Sequence, residues 1–511
     1  DVHSVIYGHA GDGHIHVNPL MDMNDPGLYS TMEVIADKTY DLVQEFGGTL
    51  SGEHGDGLLR SPFVRDFFGP VYPVFQELKK VFDPENILNP GKIVNADKRK
   101  FTDSMKLTRT DQVRETETVL DRPEVQENLF VCSNCGACRN YCPVFIATSD
   151  ERTTPRSKAN LMMRITGSEF PQENDVVSLD HRHVFDFCIQ CGTCLTECPS
   201  GVDIPRLMHL AKQVSNDHNG LPLADRVMSE TGMTVAATKL LPRISNRLLD
   251  TNIVRTALEW SLGLDSRRKL PHFHDVDLNT ISRDMSLLSG DQVVYFPGCT
   301  AESNDPWGEG AATIAVLAHH GFDAFIPETH CCGIASISQG MLEHVKPQAR
   351  RNVDLLNEVT SCGLKIICSS PSCGMALRHE YPQILESEKS RVIADKVEDI
   401  HEFLVNLLSA GNLDARFEKL ELTVAVHQPC HARAMRIGDN PARLLELVPG
   451  LKVHRLEPRC CGIAGTFGMK KKGYDFSLKI GERLFREIRI VQPDLIATAC
   501  GTCRIQIEAA T

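Results

Sequence analysis

Two runs of four cysteines and two pairs of adjacent cysteines hold most of the chemistry this chain can do. Cys132, Cys135, Cys138 and Cys142 are spaced C-x2-C-x2-C-x3-C before Pro143, and Cys188, Cys191, Cys194 and Cys198 repeat the spacing before Pro199. Thiolates this close let one loop wrap an iron-sulfur cube corner by corner and pass single electrons. The string CCGIA stands at residues 331–335 and again at 460–464. Near the amino end, GHAGDGHIHVNP and SGEHGDG bring His9, His14, His16, Glu53 and His54 into two short segments. Imidazoles and a carboxylate in such company suit a divalent metal, and a hydrogen-bonded surface cluster is the competing reading.

The bulk numbers narrow the setting. Nineteen cysteines are an odd count, and they cluster instead of spreading as a disulfide framework would, so metal ligation is the better reading. A length of 511 residues implies three or four domains. The net charge is -13, and no basic run offers a surface to nucleic acid or an anionic membrane. No uncharged apolar stretch approaches the roughly 20 residues that span a bilayer, and no signal peptide is visible. The expectation is a cytoplasmic protein, associated with the inner face of the membrane through a partner.

These residues need elements to hold them. SVIYGHAGDGHIHVNPLM reads as two β segments around a Gly-Asp-Gly turn, with His14 and His16 on one face, Ile15 and Val17 on the other, and His9 returning across the turn. A helix carrying Met32, Ile35, Ala36, Leu42, Val43 and Phe46 is predicted to close at Gly47-Gly48. Glu53 and His54 follow, and as neighbours they are expected to leave their loop in opposite directions. A short helix precedes FDPENILNPGKIV, whose turn residues end this first domain near Asn95.

Beyond it, residues 96–128 read as a linker or solvated helix, 129–205 as a helical two-cluster module, and 206–290 as a helical connector. The apolar runs QVVYF, KIIC, TVAV and DLIATA alternate with amphipathic helices over 341–360 and 474–490, which predicts two parallel α/β domains, 291–410 and 411–511. Cys299 and Cys430, Cys331 and Cys460, and Cys373 and Cys503 stand 131, 129 and 130 positions apart, so the two domains are copies of one unit. The fold class is therefore multidomain α+β and α/β. Cysteines that follow the carboxyl ends of parallel strands are expected to converge, because ligand sites in open α/β sheets form at that edge. The second copy has five such thiols: Cys430, Cys460, Cys461, Cys500 and Cys503. The first has Cys299, Cys331, Cys332 and Cys373, with Ser370 in place of the remaining cysteine and Cys368 displaced to the strand end. Cys362 has no place in the pattern and is expected to be a small buried hydrophobe.

Three family resemblances attach to these residues. The eight-cysteine segment resembles the bacterial two-cluster ferredoxins, in which the fourth cysteine of each run crosses to the other cluster. That resemblance implies one 4Fe-4S cluster on Cys132, Cys135, Cys138 and Cys198, and a second on Cys188, Cys191, Cys194 and Cys142. Two structural zinc sites are the alternative, but zinc has no use for a fourth Cys-Pro in both halves. The two copies resemble the CCG cysteine-rich domains of heterodisulfide reductases and of the anaerobic glycerol-3-phosphate dehydrogenases, in their C subunit, which implies a further iron-sulfur cluster or a redox thiol centre in copy two.

Residues 1–95 resemble the ferredoxin-like C-terminal substrate cap of FAD-linked oxidases, the family of D-lactate, glycolate and D-2-hydroxyglutarate dehydrogenases. The resemblance implies that His9, His16 and Glu53 ligate a divalent metal (zinc, manganese or iron) and that His54 is the base. His14 stands where the family has asparagine: a fourth ligand, a substrate contact or a tolerated change. Asn89 and Lys92 in NPGK are candidates for lying beside the flavin, and the FAD domain itself is expected upstream of Asp1. The whole implies FAD-dependent oxidation of a D-2-hydroxy acid, with electrons passed through clusters to a quinone or other acceptor. A heterodisulfide or thiol-disulfide reductase and a non-catalytic electron-transfer subunit are the competing functions.

Overall fold

β-Branched and aromatic residues alternating across a Gly-Asp-Gly turn form the hairpin that opens the chain. In the computed structural model, which describes residues 2–22, 25–94, 115–166, 179–229, 242–286 and 290–511, β1 (Ser4–His9) and β2 (His14–Pro19) pair antiparallel. Gly13 makes the turn at φ 69°, where a side chain would be strained. The chain folds as two compact units divided near residue 114.

The first unit adds helices Leu28–Glu45, Gly57–Phe68 and Tyr72–Phe82 to the hairpin. Its core is Leu50, Val64 and Tyr72, with Tyr40, Phe63, Phe67, Phe68 and Phe75 packed against them. Among the described residues of this unit, two strands and three α-helices make an α+β arrangement. The predicted apolar stripe of the first helix is only partly used. Leu42 and Phe46 are exposed, as are Val5, Ile6, Ile15 and Val17 on the hairpin.

Residues 96–114 of the expected linker lie outside the described residues. In the second unit a capping box closes the turn Val119–Asp121, and helix Pro123–Phe130 buries Val125 and Leu129. The cysteine-run segment is helical, with Pro155–Thr166 and Ile204–Asn219 its longest helices. Leu129, Met162, Phe185 and Leu207 belong to the same core as Val294, Phe296, Leu356 and Ile366, so module and first α/β copy share one apolar interior. Of the expected connector, residues 230–241 and 287–289 lie outside the described residues. The rest includes helices Pro242–Leu249, Asn252–Leu262 and Leu278–Asp284.

Two parallel sheets follow. β3 (Asp291–Phe296), β4 (Phe322–Phe325), β5 (Ile366–Cys368) and β6 (Val397–Asp399) take the order β4-β3-β5-β6. β7 (Thr423–His427), β8 (Lys452–Arg455) and β9 (Leu495–Thr498) take the order β8-β7-β9. In each copy the first strand is central, flanked by the second and third. Chain connections therefore diverge to either side of the central strand, and a crevice opens at the strands' carboxyl ends. Helices Leu342–Val359 and Lys471–Val491 are the long amphipathic pair. Cys362 overturns its expectation: it is exposed, because it sits in the turn after Leu342–Val359 rather than on a core face. Among the described residues no helix is long and apolar enough to cross a membrane.

Candidate metal and iron-sulfur centres

The hairpin register sets the first site. His9 pairs with His14, and Tyr7 with His16, so all four side chains share a face. Glu53 comes up against this face from the loop before helix Gly57–Phe68. Its Oε1 lies 3.7 Å from His9 Nε2, 3.5 Å from His14 Nε2 and 3.0 Å from His16 Nε2. His54 does not point away as expected. Residues 52–54 bend, and the imidazole turns back to put Nε2 3.3 Å from Glu53 Oε1 and its ring 5.4 Å from that of His16. Desolvation raises the Glu53 pKa, but the four imidazoles, His9 foremost, outweigh it and hold the carboxyl below its ordinary range.

One donor atom each from His9, His14, His16 and Glu53 lies within 4.8 Å of the others. His14 Nε2 is buried and has no hydrogen-bond partner. A buried polar nitrogen aimed at a carboxylate and two imidazoles fits a divalent ion, since nothing else there satisfies it. Asn89 and Lys92 bond each other, Nζ to Oδ1 at 3.2 Å, on the exposed end of this unit.

The eight thiols of the two cysteine runs gather in two groups. Cys132, Cys135, Cys138 and Cys198 surround a cavity of about 20 Å³, with Cys194 on its wall. Cys142 lies instead within the electrostatic reach of Cys188 and Cys191, as does Cys194. Burial pushes the Cys142 thiol up to about 11, further than the nearby Lys158 ammonium draws it down. Four converging thiols with no carboxylate among them suit a soft, cationic iron-sulfur core, which would compensate thiolates that burial alone disfavours.

Both CCG motifs sit after a second strand, facing the cysteines that follow the first and third. In copy one, Cys299, Cys331, Cys332 and Cys373 interact directly, and a Cβ on Gly298 would lie 2.6 Å from Cys373 Sγ. Cys368 is buried in the core at the end of β5, while Ser370 faces the crevice. In copy two, Cys461 Sγ is 3.4 Å from Cys503 Sγ, and Cys430 bonds Cys460. Hydrogen bonds from Cys503 and then Thr502 draw Cys500 down to about 6 against the cost of burial. Gly462 adopts φ 92°, and a Cβ there would stand 2.0 Å from the Ser477 carbonyl oxygen, so only glycine admits this turn. All nine of these thiols line one cavity of about 1410 Å³ between the copies.

Long-range contacts position the thiols, and the sequence reading missed the residues that make them. His427, buried at the end of β7, bonds Thr498 Oγ1 through Nδ1 at 3.0 Å and the Arg459 carbonyl through Nε2 at 3.2 Å. One ring thus ties the three strand ends that lead to Cys430, Cys460 and Cys500. Burial pushes its pKa down to about 4. The neutral ring is favoured in the fold, so its contribution is complete above pH 6.5 and lost as pH falls towards 4. About 3 kcal/mol should go over that window, and His427→Gln should flatten it in denaturant unfolding of the cluster-free protein.

His431 bridges all three redox loops. It follows Cys430, its Nδ1 meets Ser372 Oγ of copy one at 3.0 Å, and its Nε2 meets the Gln190 carbonyl of the second cysteine run at 3.2 Å. Cys191 is close enough to Cys430 and Cys460 for their charges to oppose one another. On the cavity wall, Ser369 Oγ donates to Glu309 Oε1 at 2.8 Å, and burial raises Glu309 to about 7. Nearby His401 is held above its ordinary value by Asp399, although desolvation opposes this. The only hint of these roles in sequence was the pair of histidines in VAVHQPCH, on either side of Cys430.

Family models match three segments: the C-terminal domain of FAD linked oxidases at residues 1–93, a 4Fe-4S dicluster domain at 131–203, and the cysteine-rich CCG domain at 293–378 and 424–508. The C subunit of the anaerobic glycerol-3-phosphate dehydrogenase of Escherichia coli is 32% identical over 61% of this chain and 79% of its own. A D-2-hydroxyglutarate dehydrogenase of Pseudomonas putida is 25% identical over 99% of this chain, which spans only 54% of that protein. The D subunit of the dihydromethanophenazine:CoB–CoM heterodisulfide reductase of Methanosarcina mazei is 26% identical over 73% of this chain and 87% of its own.

Proposed function

Because the chain belongs to the iron-sulfur protein family that includes the C subunit of anaerobic glycerol-3-phosphate dehydrogenase, and carries the C-terminal domain of FAD-linked oxidases ahead of that portion, we propose that it serves a flavin-dependent D-2-hydroxyacid dehydrogenase. The reaction converts a 2-hydroxy acid to the 2-oxo acid, releasing two protons and two electrons. D-Lactate, D-2-hydroxyglutarate and glycolate are the substrate candidates, and the near full-length match to a D-2-hydroxyglutarate dehydrogenase supports the class.

His9, His14, His16 and Glu53 would hold the divalent metal, whose Lewis acidity would lower the pKa of a substrate hydroxyl. His54, beside Glu53, receives the hydroxyl proton on Nε2. Flavin would supply hydride acceptance, held mainly by a domain other than the C-terminal oxidase domain matched at residues 1–93. The apolar faces left bare on the hairpin and on helix Leu28–Glu45 support a further layer there, since an isolated two-stranded hairpin is marginal in water. Asn89 and Lys92 are assigned to its vicinity.

Iron-sulfur clusters supply one-electron steps. In this reading electrons would pass in order from a cluster on Cys132, Cys135, Cys138 and Cys198, to one on Cys142, Cys188, Cys191 and Cys194, to a third centre on the five copy-two thiols. The acceptor, a quinone in this reading, enters the shared cavity, where Glu309 and His401 provide protons. A membrane-soluble acceptor puts the protein at the inner, cytoplasmic face of the membrane.

One observation carries the reading: four donor atoms within 4.8 Å with an imidazole beside them, an arrangement for which a purely electron-carrying subunit has no use. The test is a panel of 2-hydroxy acids, with glycerol 3-phosphate and a disulfide included, added to the anaerobically purified, flavin-containing enzyme. Flavin bleaching by one 2-hydroxy acid is the expected result, and bleaching by none overturns it. Disulfide reduction instead would favour the second reading, which the 3.4 Å approach of Cys461 and Cys503 supports. Assigning His14 as a ligand carries its own expectation. His14→Asn should weaken retention of the metal by more than the roughly 10–100-fold that loss of a merely supporting residue costs, read as cobalt or manganese affinity.

A further inference from the structure

Arg268 is wholly buried, at 0% exposure. Its guanidinium donates from Nε and Nη2 to the Gly468 carbonyl at 3.1 and 2.7 Å, from Nη2 to Ser477 Oγ at 3.0 Å, and from Nη1 to Gln506 Oε1 at 2.6 Å. The Tyr474 ring lies 4.4 Å from it. Every one of these partners is neutral. The nearby carboxylate of Asp265 bonds Arg267, at 2.7 and 2.9 Å, while its charge still reaches Arg268 through space. A buried cation that touches no anion is costly, and the fold keeps one only where a counter-charge lies close by.

The three groups that hold Arg268 show what further charge it faces. Gly468 closes the loop of Cys460 and Cys461, its N–H bonding the Ile463 carbonyl at 2.7 Å. Ser477 backs Gly462, and Gln506 follows Cys503 by one helical turn. The guanidinium therefore spans the backs of two of the three thiol-bearing loops of copy two, and Cys461 is among the groups whose charge it feels. Among the described residues no arginine holds the same place in copy one. Ala376 takes the position after Cys373 that Gln506 takes after Cys503, and an acid, Glu309, is buried on that wall.

We infer that Arg268 is the counter-charge of a redox centre on the copy-two thiols, and that it holds this centre's reduction potential above the value the same ligands would give beside a neutral residue. The inference rests on the reading that those thiols hold an iron-sulfur centre. An electron added to a thiolate-ligated centre makes it more negative, and a fixed cation in a low dielectric stabilises that state more than the oxidised one. The consequence is direction: copy two, next to Cys191, is made the acceptor of electrons from the second cubane. Arg268 is a positioning and tuning residue and touches no substrate.

The test is a redox titration of the full-length, anaerobically purified protein followed by electron paramagnetic resonance, comparing wild type with Arg268→Gln and Arg268→Lys. At a fixed potential the reduced fraction of the copy-two centre should fall on the order of tenfold in Arg268→Gln, about 59 mV for a one-electron couple, with both cubane signals unmoved. Arg268→Lys keeps the charge but not the fork, and should stay near the wild-type potential. An unchanged potential in Arg268→Gln, or an equal fall in both variants as lost packing alone would give, overturns the inference. Where Arg268→Gln retains no copy-two iron, the lysine variant decides: wild-type potential supports the counter-charge, and a tenfold fall or no iron rejects it. Wild-type protein with no iron beyond its two cubanes would reject the centre itself, a failure visible in the iron count before any variant is made.

Discussion

Replacing His54 by alanine is expected to slow flavin reduction by the 2-hydroxy acid by about 10²–10⁴-fold, the range a positioned general base contributes. The expectation rests on place and on exposure. His54 Nε2 lies 3.3 Å from Glu53 Oε1 and its ring stacks edgewise on His16, so the imidazole is held at the rim of the donor cluster, yet its side chain is 66% exposed. An exposed ring at the rim can meet a substrate hydroxyl; a buried one in the donor set could not. His54→Ala should leave metal content at the wild-type level, because the four donors that lie within 4.8 Å of one another do not include it. Stopped-flow bleaching of the flavin in the assembled enzyme measures the step directly. Wild-type bleaching in the variant would remove His54 from the chemistry and revive the non-catalytic reading.

The parts of this molecule that were legible in the sequence are those encoded at short range or by repetition. The cysteine runs define their own loops, so Cys142 and Cys198 could be assigned across clusters from spacing and family resemblance. The near-constant offset between Cys299 and Cys430, Cys331 and Cys460, and Cys373 and Cys503 announced two copies, and both sheets do place their first strand between the other two. Period-two alternation was enough to put His14 and His16 on one face.

The misses share a different cause. Alternation fails where the chain bends, and so Glu53 and His54 face the same site instead of parting. Cys362 looked like core by type, but a turn has no inner face. His427, His431 and Arg268 act through partners 32 to 241 positions away, and apart from the flanking of Cys430 by the two histidines nothing in their immediate neighbours marks them. Burial and long-range hydrogen bonding decide such roles, and neither has a local signature.

Cys191→Ser should produce the opposite half of the His54 phenotype: a flavin still reduced by substrate at a rate within about twofold of wild type, and a steady-state turnover with the terminal acceptor that has collapsed. Cys191 is the thiol of the second cysteine run whose charge is felt at both Cys430 and Cys460, and so it lies where electrons pass from the ferredoxin module to copy two. Even changes to residues that only support metal ligands cost about 10–100-fold, and removing a ligand should cost more. The fall in turnover should therefore exceed about a hundredfold, with the electrons halted on flavin and the first cluster. Rapid mixing with substrate followed by spectra at successive times separates the two phases. If Cys191→Ser slows flavin reduction as much as turnover, the substitution has damaged the fold and not the relay. If it slows neither, electrons leave by a route that bypasses the second cubane, and the proposed line of centres is wrong.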